Sequence, residues 1–406
     1  MIETVDPQKA GMSTERLQRI TDHFQQKYID TGKISGALTL VARRNQVVHF
    51  QPQGHLEIEQ QRDIQRDTIF RIYSMTKPIT SVAIMMLYEQ AKFQLDEPVH
   101  KYIPEWKNLG VFKSGRYPQF MTTPPERPMT IRDLLSHMSG LTYGFMQTTN
   151  VDSAYRRLNI GGNATLKEMI EMLAELPLEF SPGTAWNYSV STDVLGYLVQ
   201  VIADQSFDEY LKEKVFEPLG MEDTGFGIPD DKLDRFACNY EVQPGKPPSL
   251  ADAPENSTYR GEQAFFSGGG GLVSTVEDYY RFTAMLLNGG EFDGARLLGR
   301  KTIELMASNH LPNGGDLSNL AKAGMFSETG YAGMGFGLGF SVMMDPAKAQ
   351  VAGTPGEYAW GGAASTAFWI DPAEELILIF MTQLMPSSYY PFRRELRALV
   401  YSSITD

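Results

Sequence analysis

The chain has 406 residues, 42% hydrophobic and 21% charged, which suits a globular protein of two lobes or domains and excludes a disordered one. Its net charge of −13, from 36 Lys+Arg against 49 Asp+Glu, repels a phosphate backbone, so nucleic acid is not an expected partner. The lone Cys238 cannot close an internal disulfide, and no paired cysteines or HExxH pattern calls for a metal, so no cofactor is expected.

The first stretch, "MIETVDPQKAGMSTERLQRI", lacks the basic and apolar regions of a secretory signal, which predicts a cytoplasmic protein. "RLQRITDHFQQKYI" has apolar residues at 17, 20, 24 and 28, the spacing of one helix face. "GALTLVARRNQVVHFQPQG" reads as two strands around a turn at Arg44-Asn45. From Ser74 to about Gln90 the apolar positions 79, 82, 83, 86 and 87, extended by Ile84 and Met85, predict a largely buried helix. Its apolar run "ITSVAIMMLY" is too short to span a bilayer, so membrane insertion is not expected.

Between about 100 and 265, "MTIRDLLSHM", "TLKEMIEMLAEL" and "STDVLGYLVQVIADQSFDEYLKEKVF" predict helices joined by Pro-rich connections. In the last third, "SGGGGLVSTVEDYYRFTAMLLNGG" is a helix after a glycine run. "FGLGFSVMMD", "ASTAFWID" and "ELILIFMTQL" are strand-like, with a hairpin around Asp371-Pro372. "PFRRELRALVYSSI" is a final helix. The expected architecture is α/β (α+β): residues 1–82 together with 265–406 form one lobe around a sheet flanked by helices, and 83–264 form an inserted, mostly helical lobe. The cleft between the two is the natural place for a site. Loops at about 108–128, 227–262 and 308–333 are long enough to be its walls.

No G-x-S-x-G elbow occurs, and strand and helix do not alternate, which disfavours an α/β-hydrolase triad. The six histidines, at 23, 49, 55, 100, 137 and 310, show no ligand grouping, and His137 in "SHMSG" reads as structural. Ser74-x-x-Lys77 is the one Ser-x-x-Lys in the chain, and it opens the buried helix. On a helix, residues three apart share a face, so the hydroxyl and the amine can meet. Pro78 suits a first helical turn, which sets Ser74 near the positive end of the helix dipole. Apolar surroundings would also lower the Lys77 pKa, leaving a neutral amine able to accept a proton.

Two further stretches follow: "FSPGTAWNYSVSTDVLGYLV" with Tyr188-Ser189, and "EYAWGGAASTAFWID" with Trp360-Gly361-Gly362. Ser-x-x-Lys, Tyr-Ser and Trp-Gly-Gly in this order resemble the serine β-lactamase and penicillin-binding-protein superfamily, and most closely the family VIII carboxylesterases. "TIRDLLSHMSGLTYG", "LDEPVHKYIPEW" and "GGGGLVSTVEDYYRF" look like connecting segments of that family, so the resemblance runs from about residue 10 to 400. It implies the β-lactamase/transpeptidase-like fold, with a central, mainly antiparallel sheet.

The resemblance also implies roles. Ser74 would be the acylated nucleophile, and Lys77 with Tyr188 the proton-transfer pair, whichever of the two is the base, with a nearby ammonium lowering the phenol pKa. The backbone N–H groups of Ser74 and Ala363 would form the oxyanion hole. Gly361 and Gly362 would let substrate approach the strand edge closely. The glycines 268 to 271 would pack near the cleft, with Tyr143 and Phe145 as pocket candidates. Lactam-cleaving relatives carry Tyr-x-Asn and a Lys or His ahead of the glycine, whereas this chain has Val190 and Trp360. Loss of the amide and the cation leaves an apolar wall suited to a small neutral ester. The same motifs leave open a β-lactamase, a D-alanyl-D-alanine peptidase, an acyltransferase, or an inert ligand-binding module.

Overall fold

The structure, a computed structural model, describes residues 2–162, 165–322 and 328–406. Its centre is an eight-stranded sheet in the order Met334–Phe336, Ser341–Met343, Tyr358–Gly361, Ala367–Asp371, Leu376–Met381, Gly36–Arg43, Gln46–Glu57 and Arg62–Asp63. Every neighbouring pair is antiparallel. The two ends of the chain meet in its middle, where Leu38 lies opposite Met381 and Arg43 opposite Leu376.

The "LILIFM" strand is buried along its whole length, because both faces of the sheet are covered and polar alternation would leave polar groups without water. Leu378 and Phe380 face a core built with Leu17, Ile20 and Phe24 of the Thr14–Phe24 helix and Leu396 and Val400 of the Phe392–Tyr401 helix. Ile377, Ile379 and Met381 face the larger core, which includes the Thr76–Glu89 and Val276–Leu287 helices. The turn expected at Arg44-Asn45 is present, with φ of 54° and 59°, the paired left-handed values of a type I′ hairpin.

Residues 83–264 hold the helices expected there, among them Ile131–Leu135, Leu166–Leu173 and Ser191–Ala203. They also hold strands the periodicity did not announce. The stretch expected as a loop at 108–128 contains a hairpin, Val111–Arg116 with Gln119–Thr123. Asn239–Glu241 and Ser249–Asp252 pair within the stretch 227–262, and Asn239–Glu241 runs parallel to Leu384–Met385. The reason is exposure: the Val111–Thr123 hairpin lies largely in solvent, so no buried face imposes alternation. Among the described residues no helix is long and apolar enough to cross a membrane.

Ile379 is fully buried in a central strand. Ile379→Ala should lower unfolding stability by about 2–5 kcal/mol through lost burial and a cavity. Urea denaturation would show it as a lower midpoint at unchanged slope, and a midpoint equal to wild type would refute the packing described.

Candidate active site

The short strand Phe70–Arg71 pairs with Val273–Ser274 and delivers the chain to a tight turn, Tyr73–Met75, at the mouth of the Thr76–Glu89 helix. Tyr73 has φ of 42°, a left-handed conformation costly for a bulky residue and held here by its surroundings. Ser74 follows it and lines a cavity of about 520 Å³. Pro78 sits in the first turn of the helix, where its missing N–H costs no hydrogen bond.

Three residues singled out in the sequence meet at one oxygen. Lys77 Nζ lies 3.2 Å from Ser74 Oγ, and the Tyr188 hydroxyl donates to the same Oγ at 2.5 Å. The amine donates to the Gly269 carbonyl at 2.5 Å, and its side chain is enclosed, at 2% exposure for the residue. Burial pushes the amine down to about 7, against the opposing charges of Asp193 and Glu328.

The phenol moves the other way from expectation. Burial raises the Tyr188 pKa well above 10, and Glu328 adds to the rise, while contacts with Ser74 and Trp360 offset it only in part. Lys77 gives the phenol no offset against burial, because at a pH where a phenol could ionise, an amine titrating near 7 has already lost its charge.

The glycine run forms the wall opposite the helix. The Gly269 N–H and the Ser267 hydroxyl both donate to Asp193 Oδ1, at 3.0 and 2.5 Å. A Cβ on Gly269 would lie 2.5 Å from Asp193 Oδ2 and 2.9 Å from the Tyr143 hydroxyl, and one on Gly268 would lie 2.6 Å from the Thr192 carbonyl. Only glycine lets this segment approach closely enough to present its carbonyl to Lys77. Asp193 escaped the sequence reading because one acid in a helix's first turn reads as a cap; its signal was its place on an otherwise buried helix.

Ala363, Tyr143, Phe145 and Val190 border the same cavity. Among the described residues the backbone N–H groups of Ser74 and Ala363 have no acceptor within the chain. Tyr143 stacks on Phe145 at 4.7 Å and meets the Tyr188 ring edge-on at 5.1 Å.

Trp360, Gly361 and Gly362 sit differently from the expectation. Trp360 is buried away from the cavity lining, at 2% exposure, and its indole packs edge-on against Tyr188 and Phe336, at 5.5 and 5.4 Å. Its contact with the site is the ring of Tyr188. The space beside the two glycines is taken by protein: a Cβ on Gly361 would lie 2.1 Å from Arg393 Nη2, and one on Gly362 would lie 2.4 Å from the Ile72 carbonyl. Arg393 pairs with the buried Glu328 at 2.5 Å, and Glu328 also borders the cavity. His137 is buried as a structural residue, with Nδ1 3.2 Å from Ser189 Oγ and its ring 5.2 Å from that of Tyr188. Among the described residues no group of three or more His, Cys, Asp or Glu side chains could hold a metal ion.

Comparison with known proteins agrees with this geometry. The Beta-lactamase family model matches residues 17–402, and the chain belongs to that family. It is 36% identical over 360 residues to Protein Rv1367c of Mycobacterium tuberculosis, covering 88% of each. It is 29% identical over 399 residues to Esterase EstB of Burkholderia gladioli, covering 93% of each. The solved structure of EstCE1, described as a hydrolase with promiscuous acyltransferase activity, superposes with a TM-score of 0.79 at 26% identity, over 95% of this chain and 98% of that one. The resemblance to family VIII carboxylesterases and the β-lactamase/transpeptidase-like fold are thereby upheld.

The buried amine carries a stability cost with a definite pH dependence. Because the folded pKa lies below the unfolded one, the unfolded chain binds more protons between about 7 and 10.5. The cost of burying the ammonium is therefore full below 7 and fades as pH rises through that window. Lys77→Met should be more stable than wild type at pH 6, by roughly 5 kcal/mol at most, with the gain shrinking toward pH 10. A difference independent of pH in thermal unfolding would count against burial as the cause.

Proposed function

We propose that this member of the Beta-lactamase family is a serine carboxylesterase hydrolysing small, uncharged acyl esters through an acyl-serine intermediate. The observation that carries the reading is the placement of Lys77 Nζ and the Tyr188 hydroxyl 3.2 and 2.5 Å from Ser74 Oγ. The name of EstB and the description of EstCE1 support the reaction class.

Neutral Lys77 has one lone pair and two N–H bonds. One N–H is held by the Gly269 carbonyl, which leaves the lone pair free to turn toward Ser74. In the proposed first step Lys77 takes the Ser74 proton as Oγ attacks the ester carbonyl. The carbonyl oxygen gains negative charge and is received by the Ser74 and Ala363 N–H groups. As the carbon–oxygen bond to the alcohol breaks, Tyr188 gives that oxygen its proton and recovers one from the Lys77 ammonium. A water then attacks the acyl-serine by the same steps in reverse, releasing the acid and restoring Ser74. Tyr188 serves as a proton donor in this scheme because burial keeps it protonated. Tyr143, Phe145 and Val190 would bound the acyl and alcohol groups, and Trp360 would hold Tyr188 in place.

We also assign the chain two lobes, 1–82 with 265–406 and 83–264, with the cavity between them. Ser74, Gly269 and Ala363 would come from the first, and Tyr143, Tyr188 and Val190 from the second. Acyl transfer to an alcohol is the second reading, favoured by the description of EstCE1; it differs only in which hydroxyl attacks the acyl-serine.

Ser74→Ala should lower p-nitrophenyl butyrate hydrolysis by about 10³-fold or more, and Tyr188→Phe by about 10²–10⁴-fold. Equal rates for wild type and Ser74→Ala would sink the reading, and nitrocefin turned over faster than the ester would replace it with a β-lactamase. For wild type, kcat/KM should rise with pH and level off above about 7, as Lys77 loses its proton. Ester products on addition of an alcohol would establish transfer.

A further inference from the structure

A second and larger cavity, of about 920 Å³, abuts the one that holds Ser74. Phe226 and Gln263 belong to the walls of both. The rest of its apolar lining comes from Phe216, Met221, Ile228 and Phe266. Residues at both ends of the 227–262 segment face these cavities: Gly227, Ile228 and Pro229 with Gly261 and Glu262 border the larger, while Thr258 and Tyr259 border the smaller.

Phe226 is fixed rather than swinging. Its ring is buried, at 7% exposure, and lies 5.6 Å from that of Phe207 and 5.2 Å from that of Phe266. Gly271 lies so close behind it that a Cβ there would stand 2.9 Å from Phe226 Cδ1. The preceding residue, Gly225, exchanges backbone hydrogen bonds with Val273, at 3.2 and 2.9 Å. Val273 pairs in turn with Arg71, three residues ahead of Ser74. The partition is thus tied by backbone to the same strand that delivers the nucleophile.

We infer that Phe226 determines substrate length: it is a wall that ends the Ser74 cavity, and the room behind it is shaped for an uncharged alkyl tail. Asp208, Glu217, Glu222 and Glu262 lie around that room, and among its described lining residues Lys212 is the one cation, so an anionic tail would be repelled. The inference rests on the esterase reading for its substrate but not for its binding test.

The test compares wild type with Phe226→Ala and Phe226→Leu on p-nitrophenyl butyrate and octanoate, together with calorimetric binding of 1-octanol and 1-butanol. The octanoate-to-butyrate ratio of kcat/KM should rise about tenfold or more for Phe226→Ala and by less for Phe226→Leu. Octanol affinity should rise in step while butanol affinity does not. Adding Glu262→Trp to Phe226→Ala, which refills the larger cavity, should bring the ratio back down. An unchanged ratio or unchanged octanol affinity in a folded Phe226→Leu or Phe226→Ala protein overturns the inference. Gain in octanol affinity without hydrolysis of either ester would uphold the wall and sink the esterase reading instead.

Discussion

Enclosing the Lys77 amine where water does not reach it is the constraint on which the site depends. A buried ammonium must find compensating charge or give up its proton. Asp193 and Glu328 pull toward the charged form, and so do the Tyr143 and Tyr188 rings, whose centroids lie 5.3 and 4.5 Å from Nζ. Burial outweighs them just enough to leave the amine near 7. The surrounding elements serve that seal: a helix buried on all sides from Thr76 to Met85, a glycine run in which Gly268, Gly269 and Gly271 leave no room for a Cβ, and the rings of Tyr143 and Tyr188 beside the amine. A looser wall would admit water and restore an ordinary lysine, charged at neutral pH.

The sheet transmits the same constraint from far along the chain. Leu376–Met381 pairs with both Gly36–Arg43 and Ala367–Asp371, so both termini are knitted into one platform. Strand Tyr358–Gly361 ends against the Tyr73–Met75 turn, with Gly362 packed on the Ile72 carbonyl. That contact sets Ala363 beside the cavity. Gly361 makes room for Arg393 of the C-terminal helix, which donates to the Thr366 carbonyl at 3.0 Å and neutralises Glu328. A helix that looks remote in sequence thereby reaches the floor of the site.

What the sequence made legible follows from the same physics. Ser74, Lys77 and Tyr188 were readable because each sits in a short motif whose order in the chain is specific, and the central strands because burial on two faces leaves an unbroken apolar run. The largely exposed hairpin Val111–Thr123 was not readable, since only a few of its residues, among them Val111, Phe112 and Phe120, reach the core and no continuous buried face imposes a pattern. Trp360 was expected to line an apolar pocket wall, and it packs on Tyr188 and Phe336 instead, because a strand's sequence does not say whether a residue at its end faces a cavity or a neighbouring ring. Asp193, Glu328 and Arg393 were missed because their partners are distant: Asp193 holds a backbone N–H 76 residues on, and Arg393 a carboxylate 65 residues back. Single charges of that kind look like solvated surface until the fold brings their partners to them.

The charge balance inside the site bears on what can enter it. Lys77, which titrates near 7 and is therefore about half charged at pH 7, lies behind the cavity wall and not in its lining, and Arg393 is paired with Glu328. Asp193, buried beside the amine, has its pKa raised by that burial, with hydrogen bonds from Ser267 and Gly269 working against the rise. No free cation therefore faces the Ser74 cavity among its described lining residues, where lactam-cleaving relatives hold one ahead of their glycine motif. An anionic substrate would give up its hydration without a compensating charge and would meet carboxylates nearby. A neutral ester, the substrate proposed above, would give up little on entry, and the negative charge that the proposed reaction places on its carbonyl oxygen would fall beside the N–H groups of Ser74 and Ala363. Trp360, in the place of that cation, brings no charge, and its ring packs edge-on against Tyr188, whose hydroxyl donates to Ser74 Oγ.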